Sequence, residues 1–334
     1  MLAARRDRHP PAARVGAAGA APVSAFDTQL RSLLGADRVN RDAPLAPFTT
    51  FKVGGPADWL VTLKNADEVH RVVQLAQRHG VRVSVLGGGS NLLVADAGVR
   101  GLVIRVHGGD VRLLNPATLR ADAGVTINGL VRWTINRGYA GLEAWAGTPG
   151  TVGGAIYGNA HWKSTNIGDL VYSVRLVKPD GTLLQAPADR MEFEYDYSRL
   201  KRTGEIVLWA AFRVTPGGDP NALRAVARES LAFRKRTQPL ESPSAGCIFM
   251  NPDAVRDKVP AGIPPSAGAL VDRAGLKGVA SNGARVSPTH ANFIINEGAA
   301  TAADIRDLIE RCRAAVRDQF GVALRNEIVY LGEF

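Results

Sequence analysis

The chain has 334 residues, of which 46% are hydrophobic and 22% charged, with a formal net charge of +10. That balance gives room for two or three domains and excludes a disordered or disulfide-stapled protein, since Cys247 and Cys312 supply neither a disulfide framework nor metal-ligand spacing. No apolar run reaches the ~20 residues of a membrane-spanning helix, and the basic residues concentrate only at Arg5-Arg6-Asp7-Arg8 and Arg234-Lys235-Arg236, which suits a small polyanion better than nucleic acid. Two unpaired cysteines suit a reducing, cytoplasmic location.

Residues 1–24 are rich in Ala, Arg and Pro and read as a disordered extension, or as sequence upstream of the true start. Ordered structure is read from Pro47, where turn chemistry through Gly54-Gly55-Pro56 leads into a strand ending near Val61. Val69, Val72, Val73 and Ala76 then recur at helical spacing, with Asn65 placed to cap the start and Gly80 the end. A strand through Val83-Ser84-Val85-Leu86 delivers a glycine loop, Gly87-Gly88-Gly89-Ser90-Asn91, and a second loop follows about sixty residues later, Gly147-Thr148-Pro149-Gly150-Thr151-Val152-Gly153-Gly154. Backbone without Cβ lets N–H groups close on phosphate oxygens. Gly87-x-Gly89 lacks the third glycine and the following helix of a Rossmann fingerprint. Two loops facing one extended diphosphate cofactor is the functional reading; two tight turns is the structural one.

The middle of the chain reads as short strands, Leu102 to Val106, Ser173 to Val177 and Ile206 to Val214, around a helix from Thr126 to Arg137. Asp219-Pro220 has the form of an N-cap followed by proline at the first helical position, with Leu223, Val226, Ala227 and Leu231 as the buried stripe. In the last helix Thr301 and Asp304 resemble a capping box, and Ile305, Leu308, Ile309, Cys312 and Val316 form one face up to Gly321. Cys312 is therefore a core residue.

Taken in order, several strings resemble the UDP-N-acetylenolpyruvoylglucosamine reductase family. They are Phe48 to Asp58, Leu86 to Val94, Gly147 to Gly154, Pro243-Ser244-Ala245-Gly246-Cys247-Ile248-Phe249-Met250-Asn251-Pro252, Ala274 to Gly278, His290 to Asn296, and Arg325 to Gly332. Each is common alone, but the ordered set is specific. The resemblance implies an α+β chain: a two-lobed FAD-binding domain of the PCMH/vanillyl-alcohol-oxidase type followed by a smaller α+β substrate-binding domain. The first spans 25–215 (lobes 25–108 and 109–215), completed by a C-terminal strand in 324–334; the second spans 216–323. It also implies non-covalent FAD, NADPH as reductant and a UDP-linked enolpyruvyl sugar as substrate; a monomer is the expected state, which the sequence does not decide. FAD is then expected at Leu86-Gly87-Gly88-Gly89-Ser90-Asn91, at Gly147, Thr148, Pro149, Gly150, Thr151, Gly153 and Gly154, and at Ile206.

Cys247 stands where many relatives carry the serine that protonates the intermediate. A thiol is a stronger acid than an alcohol; the alternative is a small buried hydrophobe. Glu327 matches the family glutamate that polarises the enolpyruvyl group, against an exposed strand carboxylate paired with Arg325 or a nearby basic residue. Arg234, Asn251, Lys277 and Asn292 are expected to contact substrate, Arg234 through its planar fork.

Three departures stand out. The family motif Phe-x-Tyr-Arg-x-Ser is here Phe193-Glu194-Tyr195-Asp196-Tyr197-Ser198, with Asp196 at the arginine that steadies the developing charge. An aspartate there opposes the chemistry, so Arg199, Lys201, Arg202 or Lys163 has to serve, or Asp196 points away. After Asn159 the usual Ala-Gly-Ala-Tyr-Gly is Ala160-His161-Trp162-Lys163-Ser164, either a ring-stacking segment or a solvated loop with one anchoring aromatic. Met250 occupies a position that is commonly lysine. The short stretch between Tyr197 and Glu205 resembles the subclass without a substrate-capping loop. Two other readings remain open: a flavin oxidase on the same fold, although no His or Cys sits beside the first glycine loop to tether the flavin, and a non-catalytic sensor of flavin or sugar nucleotide.

Overall fold

The computed structural model describes residues 21–253 and 255–334. The expected extension over 1–24 lies outside the described residues as far as residue 20. Its last four residues instead begin a helix, Ala21–Leu34, so structure starts well before Pro47. Phe26 and Leu30, one turn apart, are fully buried, and the Phe26 ring meets Trp59 edge-on at 5.1 Å. The i, i+4, i+8 spacing of Phe26, Leu30 and Leu34 was the available signal, hidden by the Ala- and Pro-rich run before it.

The first sheet has the order Val39–Pro44, Pro56–Leu63, Val99–Val106, Val83–Leu86. The last three are parallel and the first is an antiparallel edge. Helix Ala66–Arg78 makes the crossover; Asn65 accepts from the Glu68 N–H at 3.0 Å, and Val69, Val72, Val73 and Ala76 are buried at the expected spacing. The second sheet is antiparallel, in the order Leu183–Pro187, Val171–Val177, Ile206–Arg213, Thr118–Asp122, Val111–Asn115. Both sheets, with helices Ala66–Arg78 and Ile127–Asn136, share one large apolar cluster, so the two lobes are packed as one unit.

A smaller sheet, Ala280–Ser281, Ala284–Val286 and Ile294–Asn296, shares a second apolar cluster with helices Ala267–Arg273 and Ala302–Phe320. The latter opens on the Thr301/Asp304 capping box and ends at Gly321 in left-handed geometry (φ 69°). Cys312 is buried on its inner face. Asp96, beyond the first glycine loop, accepts from the Ala302 and Ala303 N–H groups at 2.8 and 2.9 Å, tying this helix to the first sheet's side of the molecule. The chain finally returns across the molecule, and Val329–Leu331 pairs in parallel with Leu92–Val94. The fold is α+β, two lobes and a smaller α+β unit.

Helix Pro220–Thr237 corrects one expectation. Asp219 caps it and Pro220 opens it, but the buried residues are Leu223, Ala227, Ser230 and Arg234, while Val226 and Leu231 are 41% and 38% exposed. The inner face has polar partners: Ser230 donates to the Ala144 carbonyl at 2.6 Å and Arg234 to Thr148 at 2.8 Å. Leu223 and Ala227 are buried as expected, and hydrophobicity misplaced Val226 and Leu231, whose inward places are taken by Ser230 and Arg234.

Candidate active site

The two glycine loops meet. A Cβ on Gly88 would stand 2.6 Å from the Gly150 Cα, and one on Gly89 (φ 63°) 2.1 Å from the Phe48 carbonyl oxygen. Thr50 holds the first loop, its N–H and hydroxyl both donating to the Gly89 carbonyl at 3.0 and 3.2 Å. In the second loop Thr151 accepts from Gly154 N–H, Gly153 donates to Ala123, and Gly147 donates to Asn128. The glycines let the two loops pack backbone against backbone, and two such loops brought together, rich in N–H groups without side chains, fit an extended diphosphate such as that of FAD. Ile206 starts a strand of the second sheet and is half-buried.

Asn91 links this surface to the reacting groups. Its side-chain amide donates to the Glu327 carbonyl at 3.2 Å and its own carbonyl accepts from Val329 at 3.0 Å, so the returning strand is fastened to the cofactor loop two residues from Glu327. Glu327 N–H donates to the Ile248 carbonyl at 2.8 Å, which brings Cys247 alongside. Asn292, buried, clamps the cysteine segment: its amide bonds the Phe249 N–H and carbonyl at 3.0 and 2.8 Å and also reaches the Cys247 thiol. Burial, and then Glu327, push the thiol well above the ordinary cysteine range, while Asn292 and Arg234 act the other way. Burial also raises the Glu327 carboxyl to about 8, with Asp196 adding to the rise and Lys201 opposing it. Arg325 is directed to Asp257, 3.6 Å away, and does not pair with Glu327.

Tyr195 and Asp196 form the tip of a tight turn closed by reciprocal bonds between Glu194 and Tyr197 at 3.0 and 3.1 Å. Asn159 donates to the Glu194 carbonyl and Ser198 to the Tyr157 carbonyl, both at 2.7 Å, fixing the turn against helix Val152–Gly158. Asp196, in left-handed geometry (φ 51°), turns inward and is 6% exposed. The Lys201 ammonium donates to it at 2.9 Å. Burial raises the Asp196 carboxyl and Lys201 counters that. Arg199 is engaged by Glu205 through two bonds of 2.9 Å, and Arg202 by Glu192 through two of 3.0 Å. Sequence reasoning passed over Tyr195. Its hydroxyl takes a bond from the Asn251 backbone N–H and is pushed up to about 12, by burial first and then by Glu327.

Arg234 is 5% exposed and has no carboxylate partner among the described residues. Its guanidinium lies 3.6 Å from the Trp162 ring centroid, Nη2 donates to Thr148 of the second glycine loop, and Nε has no partner. Burial lowers it to about 10, which leaves it charged at neutral pH. Trp162 belongs to a hairpin with Thr165–Asn166, and Lys163 at its tip sits over the Trp162 and Phe233 rings at 5.9 and 5.1 Å. The neighbouring His161 ring lies 4.8 Å from that of Tyr195, and burial with the Arg234 charge lowers its proton affinity. The Asn251 side chain accepts from the Ala267 N–H at 3.0 Å, the Met250 backbone pairs with Arg325, and exposed Lys277 lies 3.2 Å from Asp272. The structure thus gathers Cys247, Glu327, Tyr195, Asp196 and Lys201, with Arg234 beside them. The side chains of Asn251, Asn292 and Lys277 are bonded to protein groups.

Residues 57–186 match the FAD binding domain family, and residues 238–331 match the C-terminal domain of UDP-N-acetylenolpyruvoylglucosamine reductase. The protein is an FAD-dependent oxidoreductase, and the segment 238–331 that follows its FAD-binding match carries the Cys247 thiol and the Glu327 carboxyl. It is 36% identical over 296 residues to the UDP-N-acetylenolpyruvoylglucosamine reductase of Bacillus velezensis, covering 88% of this chain and 94% of that one. With the reductase of Parasynechococcus marenigrum the identity is 39% over 297 residues, covering 86% and 94%. The crystal structure of the Thermus caldophilus reductase superposes with a TM-score of 0.73 at 32% identity, covering 88% of this chain and 99% of that one. The chain belongs to the UDP-N-acetylenolpyruvoylglucosamine reductase family.

Proposed function

We propose that the protein reduces UDP-N-acetylglucosamine enolpyruvate to UDP-N-acetylmuramate with NADPH, a cytoplasmic step of peptidoglycan synthesis. The observation that carries the reading is the meeting of Cys247 and Glu327 beside the first glycine loop, through Asn91 and the Ile248 carbonyl. In the same reading, residues 25–215 and 324–334 form the cofactor domain and 216–323 the substrate domain; the two apolar clusters follow this division in the main but cross it, Leu223 and Ala227 packing in the first and Phe51, Val53, Leu93, Leu324 and Ile328 in the second.

FAD, when bound, supplies the hydride that NADPH provides. Hydride addition at the enolpyruvyl methylene carbon drives the double-bond electron pair onto the adjacent carbon and its carboxylate, leaving a dianion that needs one proton and a stabilising field. The Cys247 thiol, kept protonated by burial, delivers the proton to that adjacent carbon. Glu327, with a value of about 8, is protonated at neutral pH and donates a hydrogen bond to the substrate carboxylate instead of repelling it. The Arg234 charge eases the thiolate left behind, which recovers its proton from water.

The test is an anaerobic absorbance trace. NADPH should bleach the flavin of wild type and of Cys247→Ala alike. Added enolpyruvyl nucleotide should then restore the yellow stoichiometrically in wild type and not in the variant. A wild-type flavin that stays bleached refutes the reaction, and reoxidation of Cys247→Ala at the wild-type rate removes Cys247 from it.

A further inference from the structure

The reaction proposed above places negative charge on a carboxylate that starts with one, and the turn packed against the Cys247–Asn251 segment carries an aspartate, Asp196. The structure supplies a cation at the same point. Lys201 and Asp196 are joined at 2.9 Å, with side-chain exposures of 22% and 7%, and the ammonium lies 5.9 Å from the centroid of the Tyr157 ring. The pair is carried to the site by its turn: the adjacent Tyr195 takes a hydrogen bond from the Asn251 N–H, four residues beyond Cys247, and its ring lies 4.8 Å from that of His161; the Glu327 carboxyl responds to both charges, in opposite senses. Of the other basic residues around the turn, Arg199 is paired with Glu205 and Arg202 with Glu192, Lys163 lies over the Trp162 and Phe233 rings, and Arg234 is held by Thr148 and the Trp162 ring on the Cys247 side of the site.

We propose that Lys201 is the residue that receives the substrate's carboxylate, and that Asp196 is the positioning residue that holds its ammonium beside Glu327. This rests on the enolpyruvyl reading. An ammonium has three N–H donors. One is engaged by Asp196, and a second directed at the substrate carboxylate bridges it to the turn. Asp196 neutralises the half-buried cation in the free enzyme and holds it in place. On binding, the ammonium is shared between two carboxylates, and its attraction for the substrate grows as the second negative charge develops. Asp196 tolerates the left-handed geometry that the turn imposes, so the acidic residue suits the backbone position as well as the lysine.

The experiment compares Lys201→Met, Lys201→Arg and the double variant Asp196→Arg/Lys201→Met in the FAD-bound enzyme. Two quantities are read: the dissociation constant of UDP-N-acetylglucosamine enolpyruvate, from the flavin difference spectrum of the oxidised enzyme, and the rate at which that nucleotide reoxidises the reduced flavin. Flavin content checks folding. Lys201→Met should lower the reoxidation rate divided by the dissociation constant about a hundredfold, or about 2.7 kcal/mol at 1.36 kcal/mol per tenfold. Most of the loss should fall on the rate, because the charge is needed most in the transition state. Lys201→Arg should recover most of it, and the double variant at least a tenfold part. A Lys201→Met enzyme within threefold of wild type overturns the assignment, as does an equal loss in Lys201→Met and Lys201→Arg with flavin retained, which would mark a packing role. If wild type binds the nucleotide without being reoxidised, the reaction is wrong and the dissociation constants still test Lys201. If wild type does not bind it, both proposals fall.

Discussion

Glu327→Gln isolates the carboxyl on which the proposed mechanism depends. Its value in the folded protein is about 8, against 4.5 for an unstrained glutamate, and burial is the main cause. The folded state therefore holds this proton more tightly than the unfolded chain. Relative to a neutral side chain, stability is intact below pH 4.5, falls as pH rises toward 8, and is flat above that. At 1.36 kcal/mol per pH unit the interval sets a ceiling of roughly 5 kcal/mol; the residue is half-buried, and water reaching the carboxylate reduces this to about 2–3 kcal/mol. Glutamine keeps the shape and the donor and removes the titration. Thermal unfolding of the FAD-bound enzymes, followed by flavin release, should show Glu327→Gln gaining several degrees on wild type between pH 5 and pH 8.5. Wild-type kcat/KM should fall above about pH 8, and in the same variant that fall should flatten, because the protonated form is the working one. A Tm difference equal at pH 5 and pH 8.5 refutes the reasoning, since a group that does not titrate within the window cannot have a raised value in the fold.

Two other perturbations probe the cofactor surface and the buried guanidinium. Gly88→Ala puts a methyl 2.6 Å from the Gly150 Cα, so the loops must separate, and the flavin-to-protein ratio after gel filtration should fall with at least a tenfold weaker FAD affinity; full retention means that the contact does not shape the cofactor site. Trp162→Leu keeps an apolar side chain and removes the ring face 3.6 Å from the Arg234 guanidinium, a contact worth about 2 kcal/mol when desolvated. The dissociation constant of the enolpyruvyl nucleotide should rise about tenfold, and an unchanged constant in a folded variant separates Arg234 from the substrate.

The elements that depend on local chemistry were legible in the sequence. The Asn65 and Asp219 caps, the Thr301/Asp304 box and the apolar face from Ile305 to Val316 each declare themselves within a few residues, because the helix backbone makes the same demands wherever it occurs. The glycine loops were legible for a similar reason, and so was Cys247 through its motif. What the sequence did not contain was distance. That Gly88 touches Gly150, that Asn91 fastens the strand bearing Glu327, and that the inner face of helix Pro220–Thr237 carries Arg234 instead of Leu231 are consequences of how remote segments pack. Asp196 is the sharpest instance. In the chain it is one carboxylate with four basic residues to choose among, and nothing in their spacing separates them. In the fold, Arg199 and Arg202 are committed to Glu205 and Glu192, and Lys201 alone among the four donates to Asp196 beside Glu327. Charge is a property of residues, but the field at a site is set by which charges the tertiary structure brings within a few ångströms of it, and that distance cannot be read along a chain.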